Sequence, residues 1–251
     1  TYNGEIYNFR ALKAELEAEG RVFRTHSDTE VLLHLYDRHG ERMLDKLRGM
    51  YAFAIWDAAK RGVFVARDPF GIKPLYLADD GRAVRVASQV KALRAGGRVA
   101  ATPDAAGHVG FFLFGYVPEP HTLYAGVQAV PPGVALWIGP GGPQRLGRID
   151  PLTQPAGAVT HADNEATLHE ALADSVRHHL VADVPVGVFL SAGLDSATIT
   201  GLAAEAAQSP IETFTLCFAE FAGGPRDEGP LAKRVAEPYG TRPTERVVAG
   251  T

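Results

Sequence analysis

Residues 184–207 read VPVGVFLSAGLDSATITGLAAEAA. Positions 186–190 are apolar or small and read as a short buried strand. Ser191 to Ser196 then turn the chain, and an Ala-rich, proline-free run over about 197–207 reads as a helix. A strand, a small-residue turn and a helix N-terminus together make an anion cradle. The first-turn N–H groups of a helix have no intrahelical acceptor, and the dipole is positive at that end. Ser191 and Ser196 add hydroxyl donors, and Gly193 lets a phosphate approach the backbone closely. Asp195 repels a bare phosphate, but it fits the turn if a divalent cation lies between them. Any parallel βα crossover can carry a glycine turn, so this stretch by itself also suits a purely structural role. The lysine of a G-x-x-x-x-G-K-S/T loop is absent.

Downstream, residues 212–218 read as a strand, 229–239 as a helix and 244–248 as a strand, which makes a parallel α/β sheet. Upstream, 164–180 reads as a helix. Leu168, Leu172, Val176 and Leu180 recur at four-residue spacing there and are expected to form a buried stripe. His178 and His179 adjoin on this helix and point apart, as on a solvated face. The first half of the chain has a different rhythm. Residues 2–7 read as a strand end followed by a turn, which leads to a helix over 9–19, capped by Asn8 and carrying Phe9, Leu12 and Leu16 on one face. A short strand over 22–25 follows, then a helix capped by Ser27 or Asp28 that ends at Gly40. Residues 50–57 and 62–67 read as one hairpin, and 75–78 and 83–87 as another. Helices beside antiparallel strands indicate a layered α+β domain. Residues 99–160 hold a buried apolar helix end at 111–114, a strand at 134–138, and loop-like stretches at 139–142 and 151–157. The expected division is a first domain over 1–98, a connecting segment over 99–160 and a second domain over 161–251.

The 251 residues suit two domains of about 150 residues each. Hydrophobic content of 46% and charged content of 22% are those of a globular protein. A net charge of −4, with acids and bases interspersed, leaves no basic footprint for nucleic acid. No apolar run approaches the ~20 residues that span a membrane as a helix. The single cysteine, Cys217, excludes an internal disulfide and fits a reducing compartment. Neither H-E-x-x-H nor C-x-x-C occurs, so no zinc site is expected. The chain opens on Thr1 rather than Met and is read as a piece of a longer protein.

A second motif heads the chain: Asn3-Gly4-Glu5-Ile6-Tyr7-Asn8. An Asn-Gly pair commonly makes a tight turn. It also suits an oxyanion hole, with the Asn3 amide and the Gly4 N–H as donors, each worth up to ~3 kcal/mol in a transition state. Arg67-Asp68-Pro69-Phe70-Gly71 reads as a structural turn tying the hairpins, with a binding loop as the alternative.

The order S-x-G-x-D-S resembles the pyrophosphate-binding loop of ATP pyrophosphatases, most of which have Gly where this chain has Ala192. Taken in order, NGEIYN, SDTEV, GMYAFAIWD, RDPFGIKPLY, ASQVKAL and VPVGVFLSAGLDSATI resemble the glutamine-hydrolysing asparagine synthetases over essentially the whole chain. That resemblance implies an αββα, Ntn-hydrolase-like glutaminase domain followed by an α/β ATP-pyrophosphatase domain. It implies a cytoplasmic ligase that uses glutamine, aspartate and ATP with Mg²⁺, and it leaves a homodimer open. Asn3 and Gly4 match the oxyanion-hole pair, and Glu5 and Asp28 match acids that hold glutamine. Leu190, Ser191, Gly193, Asp195 and Ser196 match the ATP loop, with Asp195 on Mg²⁺. Leu216 matches a residue lining the adenine pocket, a position that a plain core leucine also fits. The family's nucleophile is an N-terminal cysteine, which this chain does not contain; Cys217 is expected to be an inert core thiol, and the chain as given is expected not to hydrolyse glutamine. Two alternatives stand beside this reading. One is a related enzyme that adenylates another carboxylate, such as a β-lactam synthetase. The other is a non-catalytic nucleotide-binding paralogue.

Overall fold

The computed structural model describes residues 1–149, 161–191 and 193–249. The chain divides into two compact units, Thr1–Pro155 and Ala156–Thr251. Ala192 and the loop-like stretch 151–157 lie outside the described residues.

In the first unit, β1 (Tyr2–Ile6), β2 (Gly49–Asp57), β3 (Gly62–Arg67), β7 (Val134–Gly139) and β8 (Gly142–Arg148) form a five-stranded sheet in the order β1-β2-β3-β7-β8. All its pairings are antiparallel. Strand alternation sends Tyr51, Phe53, Ile55 and Phe64 to one face, where α1 (Phe9–Ala18) and α2 (Asp28–His39) cover them with Leu12, Leu16, Val31 and Leu35. Ala52, Ala54 and Val65 go to the other face. There they meet Leu77 and Val86 of a three-stranded sheet ordered β5-β4-β6, made by β4 (Tyr76–Asp79), β5 (Val84–Ala87) and β6 (Val127–Ala129). On its far side Ala78 and Val127 pack with Leu93 of α3 (Val90–Ala95). The layers are therefore helix, sheet, sheet, helix, each apolar face of a sheet being covered once.

Residues 99–149 do not behave as a connector. They supply β6, β7 and β8 to the two sheets of this unit. The strand expected at 134–138 is β7, whereas proline- and glycine-rich composition hid β6 and β8, which the sheets complete. The apolar run at 111–114 is helical, in α4 (Ala105–Phe114), but it is not core: Phe111, Phe112, Leu113 and Phe114 are all exposed. Only the glycine side of α4 packs, since a Cβ at Gly110 would meet the Pro118 ring and one at Gly107 the Thr122 carbonyl. Asn8 does not cap α1 through its side chain; it bonds the Lys46 carbonyl and the Arg48 N–H instead.

The strand expected at 22–25 is absent because its donors are taken. The Glu30 carboxylate accepts from the N–H groups of Arg24 (2.9 Å) and Thr25 (2.7 Å) and from the Thr25 hydroxyl (2.6 Å). These bonds, the Thr25 hydroxyl first, lower the Glu30 pKa to about 2 from an ordinary 4.5. A depressed acid stabilises the fold above its unfolded pKa and loses that contribution as pH falls toward the folded value. Glu30→Gln is accordingly expected to flatten the acid limb of the melting-temperature profile between about pH 5 and pH 2. An unchanged acid limb would show that this loop carries no linked proton.

In the second unit, β9 (Gly187–Phe189), β10 (Glu212–Phe218) and β11 (Arg242–Val248) form a parallel sheet ordered β11-β10-β9. Crossover helices α6 (Leu194–Ala206) and α7 (Gly229–Ala236) join them. Leu190 is 2% exposed and packs with Ala232 and Ala236 of α7. Phe189, Phe214, Leu216 and Phe218 alternate to the opposite face and are exposed. The helix α5 (His161–His179) forms as its spacing predicts, but Leu168 and Leu172 are exposed rather than buried. Spacing fixes which residues share a face; it does not fix what covers them. His178 and His179 each turn a ring nitrogen to a carbonyl one turn back, 2.8 Å away. Cys217 is buried, and burial together with Glu245 and Asp227 pushes its thiol pKa up. Among the described residues no helix is long and apolar enough to cross a membrane.

Candidate functional site

The edge of β1 gathers the residues of the Asn-Gly motif. Thr1 and Ala54 exchange two hydrogen bonds of 2.9 Å, and Tyr7 N–H donates to the Arg48 carbonyl at 2.7 Å. Bonded and non-bonded pairs alternate along an antiparallel ladder, which makes Gly4–Tyr51 a non-bonded pair. Because β1 is the outermost strand, the Gly4 N–H points away from β2 and out of the sheet. Ile6 lies two residues on, and its N–H points the same way, donating to Asp28 Oδ2 at 3.1 Å. Glycine at position 4 is required by packing: a Cβ would drive into the Met50 carbonyl oxygen and come within 2.7 Å of Tyr51 Cα.

Asn3 and Glu5 alternate to the face that meets the second sheet. The Asn3 Nδ2 donates to the Ser88 hydroxyl at 3.2 Å. Glu5 is exposed. Asp28 stands outside the edge of β1 at the first turn of α2. Ser27 caps that helix, its hydroxyl accepting from Thr29 N–H at 3.2 Å. Asp28 is thereby left to the strand: its Oδ2 also accepts from the Tyr2 hydroxyl at 2.6 Å. Burial first, and then that bond, push the Tyr2 phenol pKa well up. The Gly4 N–H and Asp28 thus lie along the outer edge of β1, and Asn3 and Glu5 lie on its adjoining sheet face. That arrangement can hold an oxyanion beside a cation.

Behind it, Asp68 is fully buried and accepts from four backbone N–H groups, those of Tyr51 (3.2 Å), Phe70 (3.1 Å), Ile72 (3.0 Å) and Lys73 (3.0 Å). Arg67, 5% exposed, donates to the carbonyls of Lys73, Gly71 and Val130 and pairs with both oxygens of Glu119 at 2.8 and 3.0 Å. The Arg67-Asp68-Pro69-Phe70-Gly71 stretch is a structural turn.

The second candidate site is the turn after β9. The Ser191 and Ser196 hydroxyls lie 3.1 Å apart, Ser191 N–H donates to Ser196 Oγ at 3.3 Å, and Ser196 Oγ donates to the Gly193 carbonyl at 3.1 Å. Gly193 begins α6 with no side-chain cap, so the first-turn N–H groups have no capping side chain. Asp195 is exposed in that first turn. Ser191, Gly193 and Ser196 therefore come together, and Asp195 lies exposed on the first turn of the same helix. Leu190 turns its side chain into the core beneath them, while Leu216 sits on the opposite face of the sheet. Leu190 and Leu216 do not converge through their side chains. Among the described residues no group of three or more His, Cys, Asp or Glu could hold a metal ion. The sequence reading missed Ser88 and Tyr2, which hold Asn3 and Asp28. Neither carries a signal in a single sequence, since their partners lie 85 and 26 residues away.

The family profile described as asparagine synthase matches residues 167–251. Asparagine synthetase 3 (glutamine-hydrolyzing) of Bacillus subtilis is 34% identical, over 96% of this chain and 41% of its own length. Asparagine synthetase 1 (glutamine-hydrolyzing) of the same organism is 38% identical, over 99% of this chain and 38% of its own. Asparagine synthetase B (glutamine-hydrolyzing) of Escherichia coli is 36% identical, over 84% and 33%. The chain thus spans about two fifths or less of the length of these relatives. Among solved structures, glutamine phosphoribosylpyrophosphate amidotransferase from B. subtilis, complexed with ADP and GMP, aligns with a TM-score of 0.43 at 20% identity, covering 99% of this chain and 60% of that one. The profile described as glutamine amidotransferase domain matches residues 1–145, more than half of the sequence and nearly all of its first unit, and the chain belongs to that family.

Proposed function

We propose that this chain serves glutamine-dependent asparagine synthesis, with glutamine handled at the β1 edge and ATP at the turn after β9. The observation that carries the reading is the outward Gly4 N–H beside the Asn3 amide, in a chain whose second unit holds a serine-lined helix N-terminus. At the first site the glutamine ammonium lies against Glu5 and Asp28, and the side-chain amide is attacked by a nucleophile. Asn3 and Gly4 bear the oxyanion that forms. Cys217 does not supply that nucleophile, being buried under α7 in the second unit. We take the fold of the first unit as Ntn-hydrolase-like and that of the second as the ATP-pyrophosphatase type.

At the second site the aspartate β-carboxylate attacks the α-phosphate of ATP, and pyrophosphate leaves over the first turn of α6, where the N–H groups and the dipole favour anions. Ser191 and Ser196 exchange their mutual bond for phosphate oxygens. Ammonia then attacks the β-aspartyl adenylate, giving asparagine and AMP. A lone exposed carboxylate suits Mg²⁺, which is held by one or two carboxylates together with substrate phosphates and waters. Asp195 is the residue that would hold it, and the ion would neutralise charge on the leaving pyrophosphate. Leu190 and Leu216 would flank the base through backbone and side chain respectively. A cytoplasmic location and a homodimer complete the proposal.

The test is ATP–pyrophosphate exchange in the full-length protein. Exchange is expected with aspartate and not with other carboxylates, and glutamine is expected to supply the amide nitrogen of the product. Exchange driven by a different carboxylate would move the protein to a related adenylating enzyme. Absence of exchange with any carboxylate would make it a non-catalytic nucleotide binder.

A further inference from the structure

The hydrogen bond from Asn3 to Ser88 joins two edges. Asn3 is on β1, the outermost strand of the five-stranded sheet; Ser88 directly follows β5, the outermost strand of the three-stranded sheet. The two sheets also meet through apolar side chains in the cluster around Val65, Leu77 and Val86. An amide on an edge strand is free to rotate about its last torsion, and its nitrogen and oxygen exchange places when it does. Only an orientation that presents the nitrogen, not the oxygen, to an oxyanion can stabilise it. The Ser88 hydroxyl accepts one Nδ2 hydrogen at 3.2 Å. The second hydrogen on the same nitrogen then points elsewhere, in a direction fixed by the trigonal geometry of the amide.

We infer that Ser88 is a positioning residue for glutamine hydrolysis: it touches no substrate and holds the Asn3 amide in place through that bond. This rests on the reading of Asn3 as an oxyanion donor. Ser88 acts on a donor used in the transition state, so its loss lowers kcat while the KM for glutamine stays. Removing an oxyanion donor outright costs about 10²–10³ in kcat, and misorienting one costs less, about tenfold.

The experiment is glutaminase kinetics on the full-length protein with four variants, Ser88→Ala, Ser88→Thr, Asn3→Ala and the Asn3→Ala/Ser88→Ala double. Ser88→Ala is expected to lose about tenfold in kcat with KM within about twofold. Ser88→Thr, which keeps the hydroxyl, is expected to restore kcat to near the parent value. In the Asn3→Ala background the second substitution is expected to add nothing, because the coupling runs only through Asn3. An unchanged kcat in Ser88→Ala overturns the inference. So does a matched rise in KM, a failure of threonine to rescue, or full additivity in the double variant. If Asn3→Ala itself leaves kcat unchanged, the oxyanion reading of Asn3 fails instead, and the inference falls with it.

Discussion

Replacing Asp68 by alanine is expected to destabilise the first unit by about 4 kcal/mol. The side chain is fully buried and collects four backbone N–H groups from β2 and the 70–73 turn. Alanine leaves all four donors without that acceptor in a place water does not reach, and each such loss costs about 1–3 kcal/mol, less after local relaxation. Asp68 also holds the turn through its main chain: its N–H donates to the Tyr51 carbonyl at 2.8 Å, and its carbonyl accepts from Gly71 and Gly133. Those bonds survive the substitution and keep the loss below the sum. Both tryptophans, Trp56 and Trp137, lie in this unit, so tryptophan fluorescence reports its unfolding selectively. A loss of about 4 kcal/mol lowers the urea midpoint by about 2 M at an m-value of about 2 kcal/mol/M. A shift under about 0.5 M would show that the turn is held by its other bonds.

Gly4→Ala is expected to be the most damaging single change at the candidate glutamine site. A Cβ there runs into backbone, the Met50 carbonyl and the Tyr51 Cα, and neither can swing aside as a side chain can. The opposing strand shows the same closeness in reverse, since a Cβ at Gly49 would strike the Glu5 carbonyl and lie 3.0 Å from Ile6 Cα. β1 must therefore move off β2, which costs about 3 kcal/mol or more. The displacement carries the outward N–H with it, so glutamine turnover is expected to fall by at least 10² in the full-length protein, as for loss of an oxyanion donor. The fluorescence midpoint and the glutaminase rate should fall together. Turnover near that of the parent would place the oxyanion elsewhere.

The legible parts of this chain are those whose signal is local. The span 212–218 is a strand at the predicted bounds because an apolar run with β-branched residues has no competing reading. Ser27 caps α2 because cap and helix are adjacent in sequence. The Ser191–Ser196 turn could be read because every group it needs lies within six residues. What failed was set by distant partners. Val22 to Thr25 look like a strand until Glu30 takes the donors of Arg24 and Thr25. Asn8 looks like a cap until Lys46 and Arg48 claim its amide. Residues 111–114 and the Leu168–Leu172 pair have the composition of core, yet composition does not name the surface that meets them. The outward direction of the Gly4 N–H could not be read from the sequence, because it follows from the register with β2.

The parallel pairing of β9, β10 and β11 means that all three strands end at the same rim of their sheet. The Ser191–Gly193 turn leaves β9 at that rim, and the stretch 219–228, with Arg226 laid 4.2 Å from the Phe221 ring, leaves β10 beside it. One segment is short, serine-lined and built into a helix start; the other is longer and carries its own charge and aromatic ring. Substitution in the longer segment can thus change the charge and shape of that rim while the serine-lined helix start is left untouched.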